Sequence, residues 1–258
     1  MSMLPPPGDD HYPGLEGASP VGTHNMYRCK ELVQGVIQDS GLGAVYGGVG
    51  LGKTFAGHDT LRELAPDATR VVELPPGANK GDIHGALWEC LELDGDVGDT
   101  KRPHEKILKA LGAEFRVLLV DEVQLLSAYA LEYLRYLWEH TKGERPAVVF
   151  IGSGNARQRI LHSRPLHSRI HDWQQFNPLA IEEVLDVIPL YHPAWEGTDP
   201  ELIKFGDDRG CHGNFRSWAH TTSYVTKALR EDPKLTLDKN LILWALNRLD
   251  PTAAFPGR

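Results

Sequence analysis

Cysteine is scarce in this sequence, and what there is sits in the wrong places for joint chemistry. Cys29, Cys90 and Cys211 lie far apart with no CxxC pair. That spacing argues against a disulfide scaffold and a cysteine-held zinc site, and it suits a reducing cytoplasm. Long apolar runs are also lacking, since no stretch approaches the ~20 residues needed to span a membrane. The opening MSMLPPPGDDHYPG has neither a basic region nor an apolar core, so it is not expected to be a secretory signal. Basic residues are in deficit, 27 Lys and Arg against 35 Asp and Glu, for a net charge of −8. Such a balance excludes a histone-like protein held on nucleic acid by bulk charge, but it leaves room for a local basic patch. Twelve histidines are present, with His162, His167 and His171 close together and His212 near His220. None has HExxH or cysteine-paired spacing, so no metal site is expected of them. No internal repeat is visible.

What is there is an ordinary globular composition, 258 residues with 41% hydrophobic and 24% charged. Residues 1–20 are rich in Pro, Gly and Asp, and too poor in apolar groups to offset their ordering entropy; the expectation is a flexible tail. A helical period runs from Asn25 to about Ser40 and stops at Gly41. Short β-type runs at 44–46, 70–74, 116–120, 147–151 and 172–176 then alternate with helical stretches near 53–65, 79–93, 103–112 and 127–141. RVLLVD and AVVFIG are almost continuously apolar, as strands covered on both faces are. The alternation predicts a five-stranded parallel α/β sheet with flanking helices over residues 21–179. From 180 to 258 the pattern is helical only, near 180–190, 198–206, 214–230 and 237–249, which predicts a small C-terminal helical domain. Trp88 and Trp138 lie on helical apolar stripes and are expected in the core.

Two motifs carry chemistry. Gly47, Gly48, Val49, Gly50, Leu51, Gly52, Lys53 and Thr54 spell GGVGLGKT, which fits G-x-x-x-x-G-K-[ST] after a short strand and before a helix. Glycine lets backbone N–H groups curl around a polyphosphate, and the helix N-terminus adds its dipole. Lys53 is then placed for the β- and γ-phosphates, and the Thr54 hydroxyl for Mg2+. About 70 residues later, Asp121 and Glu122 end an apolar strand. Asp121 would hold Mg2+, and Glu122, one step further out, would polarise the attacking water. The competing reading makes this acidic pair the cap of the next helix. No NKxD motif is present, so ATP is expected rather than GTP. The next strand ends in AVVFIGSGN, where Ser153 could orient the catalytic water. Asn155 is a second candidate, and either residue could instead cap the helix NARQRIL.

The order GxxxxGKT, hhhhDE, a strand with a polar end, PLHSRIH and then GNFR resembles an AAA+ ATPase over about residues 22–250. The resemblance implies the AAA+ P-loop NTPase fold with a helical lid, nucleotide bound between the two parts, and assembly into a ring or filament. It also implies that an arginine of one subunit completes the ATP site of its neighbour. Arg169 in PLHSRIHDWQQF matches that arginine, with Arg164 as rival, and Arg216 in GNFR matches the lid arginine that touches the γ-phosphate. More narrowly, LLVDEVQLLS, FIGSGNARQRIL and SRIHDWQQFNPL look like the transposition regulators of the MuB, TnsC and TniB kind, and also like ExeA-type secretion ATPases. The first group implies a slow, assembly-dependent ATPase that polymerises on double-stranded DNA without reading its sequence, and recruits a transposase. In such filaments the DNA-facing segments correspond to PPGANKGD and GDTKRPHEK, which carry Asn79, Lys80, Thr100, Lys101, Arg102 and Lys106. Lysine and arginine there would neutralise phosphates, unless they are ordinary solvated surface. The alternatives are an ATPase that remodels a secretion or signalling protein and never touches nucleic acid, and a nucleotide-gated scaffold with negligible turnover.

Overall fold

Burial of the apolar strands is what organises the chain. The computed structural model describes Leu4 and residues 15–249, so most of the segment expected to be a flexible tail lies outside the described residues. Two compact units divide the rest, one built from residues 26–49 and 53–176, the other from 15–25, 50–52 and 177–249.

The first unit alternates as the sequence pattern predicts: α1 (His24–Gln38), β1 (Leu42–Gly47), α2 (Lys53–Leu64), β2 (Thr69–Val72), α3 (Lys80–Cys90), α4 (Pro103–Leu111), β3 (Val117–Val120), α5 (Ala128–His140), β4 (Ala147–Ser153), α6 (Ala156–His162), α7 (Arg164–His167) and β5 (Ile170–Phe176). The strands form one parallel sheet in the order β2-β3-β4-β1-β5. The expected strand over 70–74 starts and stops earlier, and α7 was not anticipated within the PLHSRIH segment.

Both faces of the sheet are covered. On one, Leu42, Leu118, Val120, Val148 and Phe150 pack with Ile83 and Leu87 of α3, Ile107 and Leu111 of α4, and Leu131 and Leu134 of α5. On the other, a Cβ added to Gly43 would strike Leu32 and Val36 of α1, and one added to Gly57 of α2 would strike Ile151. Burial of strands on both sides is the reason their sequences read as continuous apolar runs rather than alternating ones. Trp88 is in this core. Trp138 is only half-buried against it, because its indole N–H reaches out to the Ser40 carbonyl at 2.9 Å.

The second unit holds α8 (Ile181–Tyr191), α9 (Pro200–Gly206), a π-helical turn over Asp207–Cys211, α10 (Phe215–Glu231) and α11 (Lys239–Leu249). Its largest buried side chains are Trp195 and Trp218, edge to face at 5.2 Å. Their indole N–H groups donate to Thr222 Oγ1 at 2.8 Å and Asp207 Oδ1 at 3.1 Å, so neither is left unpaired on burial. Residues 15–20, part of the expected tail, pack here: Leu15 and Ala18 lie against the core, and Ser19 N–H donates to the Tyr191 carbonyl at 2.8 Å. The few apolar side chains of that segment are enough where the helical core receives them.

Candidate nucleotide site

Strand register brings the motifs together. β1 lies between β4 and β5, and its last residue, Gly47, is paired with Ser153 on one side and Phe176 on the other. β3, which delivers Asp121 and Glu122, is the next strand beyond β4. The carboxyl ends of these strands are where open α/β sheets place ligands. A Cβ on Gly47 would sit 2.3 Å from the Phe176 carbonyl oxygen, so the close strand approach requires glycine there. Gly50, at φ +80°, requires it as well, because a Cβ would meet Asn214 Oδ1 at 2.5 Å.

Lys53 opens α2 with its side chain buried, and its Nζ donates to the Gly48 carbonyl at 2.5 Å. Thr54 Oγ1 donates to Asp121 Oδ2 at 2.7 Å, a contact between residues 67 positions apart. Burial pushes the Asp121 carboxyl above its ordinary range. The Thr54 hydroxyl and the Glu122 N–H, 2.6 Å from Oδ1, pull the other way. The Glu122 charge adds to the rise, whereas nearby His58, one turn past Thr54 on α2, opposes it. A hydroxyl and a carboxylate held at this spacing are hard oxygen ligands, the kind of set that suits Mg2+.

Glu122 occupies a left-handed backbone conformation, φ 52°, with its side chain exposed beyond Asp121. Its carboxylate accepts from the Gln124 side-chain amide. The Gln124 Oε1 in turn accepts the Ser153 N–H at 2.8 Å. Sequence reasoning missed Gln124; a polar residue two beyond Glu122 in DEVQ was the signal to find. Neither residue of the acidic pair caps α5, which is capped by Ser127 through the Ala130 N–H. Asn155 occupies the N-cap position of α6 without a side-chain cap hydrogen bond, so capping does not account for it.

The arginines differ in their surroundings. Arg169, 43% exposed just before β5, donates to Glu139 at 2.9 Å and to Ser168 Oγ at 3.0 Å. Glu139 also binds Arg135, which reaches Glu132, and Glu132 accepts from Ser163. The Arg169 hydrogen bond is the main reason the Glu139 carboxyl is held below its usual range, with Arg135 adding to it. Arg164 opens α7 and is exposed. In the second unit, the buried Asp207 carboxylate accepts the Gly213 N–H at 2.7 Å and so fixes the turn before α10. There the Arg216 N–H donates to the Gly50 carbonyl at 3.0 Å, with the Arg216 side chain exposed.

The surface segments behave otherwise. Lys80, Lys101 and Arg102 are exposed, but Arg102 pairs with Glu105 at 3.0 Å and the Thr100 hydroxyl donates to the Asp96 carbonyl. Asp94, Asp96 and Asp99 directly precede Lys101 and Arg102 in the chain. The three cysteines are free and buried, and burial pushes each thiol up to about 12, far from a reactive thiolate.

Comparison with known proteins bears on the fold. Residues 36–160, just under half of the chain, match the family model of the AAA domain. No curated protein sequence matches the chain. Among solved structures, the chain is similar to the Aeropyrum pernix ORC2 protein in its ADP form, with a TM-score of 0.72 and 16% identity over 93% of this chain and 71% of that one. It is similar to the Aeropyrum pernix ORC1 protein in complex with DNA, with a TM-score of 0.65 and 16% identity over 90% and 67%. The Thermotoga maritima RuvB Holliday junction branch migration motor gives a TM-score of 0.60 and 18% identity over 91% and 72%. The chain therefore has the AAA+ P-loop NTPase fold, a five-stranded parallel sheet with flanking helices, and residues 36–160 are similar to the AAA domain. No described helix is long and apolar enough to cross a membrane.

Proposed function

We propose that the protein is an ATP-dependent, self-assembling ATPase of double-stranded DNA, of the transposition-regulator type. The observation that carries the ATPase reading is the 2.7 Å contact of Thr54 with Asp121, with buried Lys53 and Glu122 beside it. The backbone and Lys53 hold the polyphosphate, and Thr54 and Asp121 would hold Mg2+, which would neutralise charge on the phosphates. Glu122 accepts a proton from the attacking water, Ser153 or Asn155 orients that water, and Arg216 reads the γ-phosphate. Arg169 of a neighbouring copy stabilises charge on the transferring phosphoryl group, which makes hydrolysis depend on assembly. Water attacks the γ-phosphorus, the bond to the β-phosphate oxygen breaks, and ADP and phosphate leave.

The DNA reading draws on the similar ORC1 structure in complex with DNA and on the RuvB branch migration motor. Lys80, Thr100, Lys101 and Arg102 are its contact candidates. Transposase recruitment from the cytoplasm rests on the resemblance of LLVDEVQLLS and SRIHDWQQFNPL alone. The test is Glu122→Gln, which neutralises only the water-activating carboxylate. It is expected to bind ATP as wild type does, to lose hydrolysis, and to accumulate as an assembly visible by electron microscopy with ATP and duplex DNA. Wild-type hydrolysis by that variant would remove Glu122 from the mechanism. Failure of the wild type to bind duplex at any salt concentration would favour the protein-remodelling alternative.

A further inference from the structure

We propose that Gln124 is a positioning residue for hydrolysis, holding the Glu122 carboxylate in register with the end of β4. This rests on the reading of Glu122 as the residue that activates water. Gln124 sits in the one-turn 3-10 helix Val123–Leu125 that follows the acidic pair. The turn is pinned at both ends: Leu125 N–H donates to the Glu122 carbonyl at 2.8 Å, and the Leu125 carbonyl accepts the Gly77 N–H at 3.0 Å. The side-chain amide faces two groups of opposite kind. The backbone N–H of Ser153 can only donate and the Glu122 carboxylate can only accept, so the amide has one orientation, with its oxygen on Ser153 at 2.8 Å and its nitrogen on Glu122. Room for this reach comes from Gly152, where a Cβ would lie 2.9 Å from the Gln124 Oε1.

Glu122 needs such a partner. Its backbone is in the left-handed region that a side-chain-bearing residue disfavours, and its carboxylate stands exposed beyond the sheet edge, where solvent alone would leave its rotamer unfixed. A charge-assisted hydrogen bond from an amide that is itself locked to β4 removes that freedom. The same bridge joins Glu122 to Ser153, so two groups that handle the water move as one hydrogen-bonded unit.

Two variants separate positioning from a plain structural tie. Gln124→Met keeps the size and loses both hydrogen bonds. Gln124→Glu keeps an acceptor for the Ser153 N–H but sets a second carboxylate against Glu122. Single-turnover ATP hydrolysis is measured on the full chain at a concentration where wild-type specific activity has reached its plateau. Both variants are expected to hydrolyse about 10- to 100-fold more slowly, the worth of one hydrogen bond to a charged group. Their affinity for ATP and their assembly should match wild type. Wild-type hydrolysis by Gln124→Glu, with a loss only in Gln124→Met, would reduce the residue to a tie to β4 and overturn the proposal. Glu122→Gln run beside them tells the two failures apart: if it stays active, the base assignment is wrong; if it is inactive while Gln124→Glu is normal, only the positioning role is.

Discussion

The carboxyl edge of the sheet and the surface that carries Lys80, Lys101 and Arg102 both belong to the first unit, and both were picked out by their charged residues. They differ in what surrounds the charge. At the sheet edge, Lys53 is buried, Asp121 is pressed above its ordinary range by burial, and Gln124 bridges Glu122 to Ser153. Each group has a fixed partner, and all but Glu122 are at least partly shielded from solvent. On the other surface the cations are exposed, and Arg102 is already met by Glu105 with 72% of its side chain open to water. An exposed pair of that kind is worth little and is screened by salt. The lesson is that a set of charges becomes a reacting site when strand register and desolvation hold it, whereas a solvated patch acts only when many copies of it line up. Arg169 falls between the two, 43% exposed yet held by a chain of carboxylates and arginines.

That intermediate case carries the largest expected effect. Arg169→Ala should keep ATP binding and lose hydrolysis by about 10³–10⁵-fold, if the arginine acts in trans on a neighbour's phosphoryl group. Mixing it with Lys53→Ala, which removes the ammonium proposed to hold the phosphates, should restore part of the activity, since each chain supplies what the other lacks. A specific activity that stays flat on dilution would contradict a shared site.

The solvated surface is tested by replacing Lys80 and Arg102 with Glu. The double variant should lose duplex binding and keep ATP binding. In the wild type, affinity should fall with salt at a log–log slope of about −0.9 per phosphate contacted. Undiminished binding by the variant in ATP would move the contact surface elsewhere.

The smallest effect sharpens the other side of the comparison. Because burial raises the Asp121 carboxyl, the folded chain favours its protonated form, and keeping it charged at neutral pH costs stability. The favourable contribution of a raised carboxyl is present at acid pH and is lost as pH rises through the folded value. Asp121→Asn should therefore raise the melting temperature of the nucleotide-free protein at neutral pH. That advantage should shrink as pH falls through the range where Asp121 itself takes up a proton. The same variant should lose any stabilisation by Mg2+ with ATP. Equal melting temperatures at neutral pH would mean that the Thr54 and Glu122 hydrogen bonds outweigh burial.

Much of this molecule was legible without coordinates. Local physics decides the GGVGLGKT loop: glycines at 47, 50 and 52, then lysine and threonine opening a helix, form a pattern that sets a tight turn between strand and helix. Continuous apolar runs such as Val117–Val120 and Ala147–Ile151 require burial on two faces, and hence a covered parallel sheet. What escaped the sequence were the contacts with distant partners that no motif marks. Residues 15–20 read as tail because their own composition is poor in apolar groups, yet Leu15 and Ala18 find a core made by helices some 170 residues later. Trp138 sits on an apolar stripe but stays half-buried because its N–H is drawn to Ser40. Gln124 looked like any polar residue after an acidic pair. Only the packing of β4 beside β3 places the Ser153 N–H where that amide can reach it. Periodicity and turn chemistry act between neighbours in the chain, so the sequence by itself determined the elements and the glycine-rich turn before α2. Register and burial act between strands, so the tertiary structure alone decided that Gln124 spans from Glu122 to the Ser153 N–H, and it set the direct 2.7 Å contact of Thr54 with Asp121.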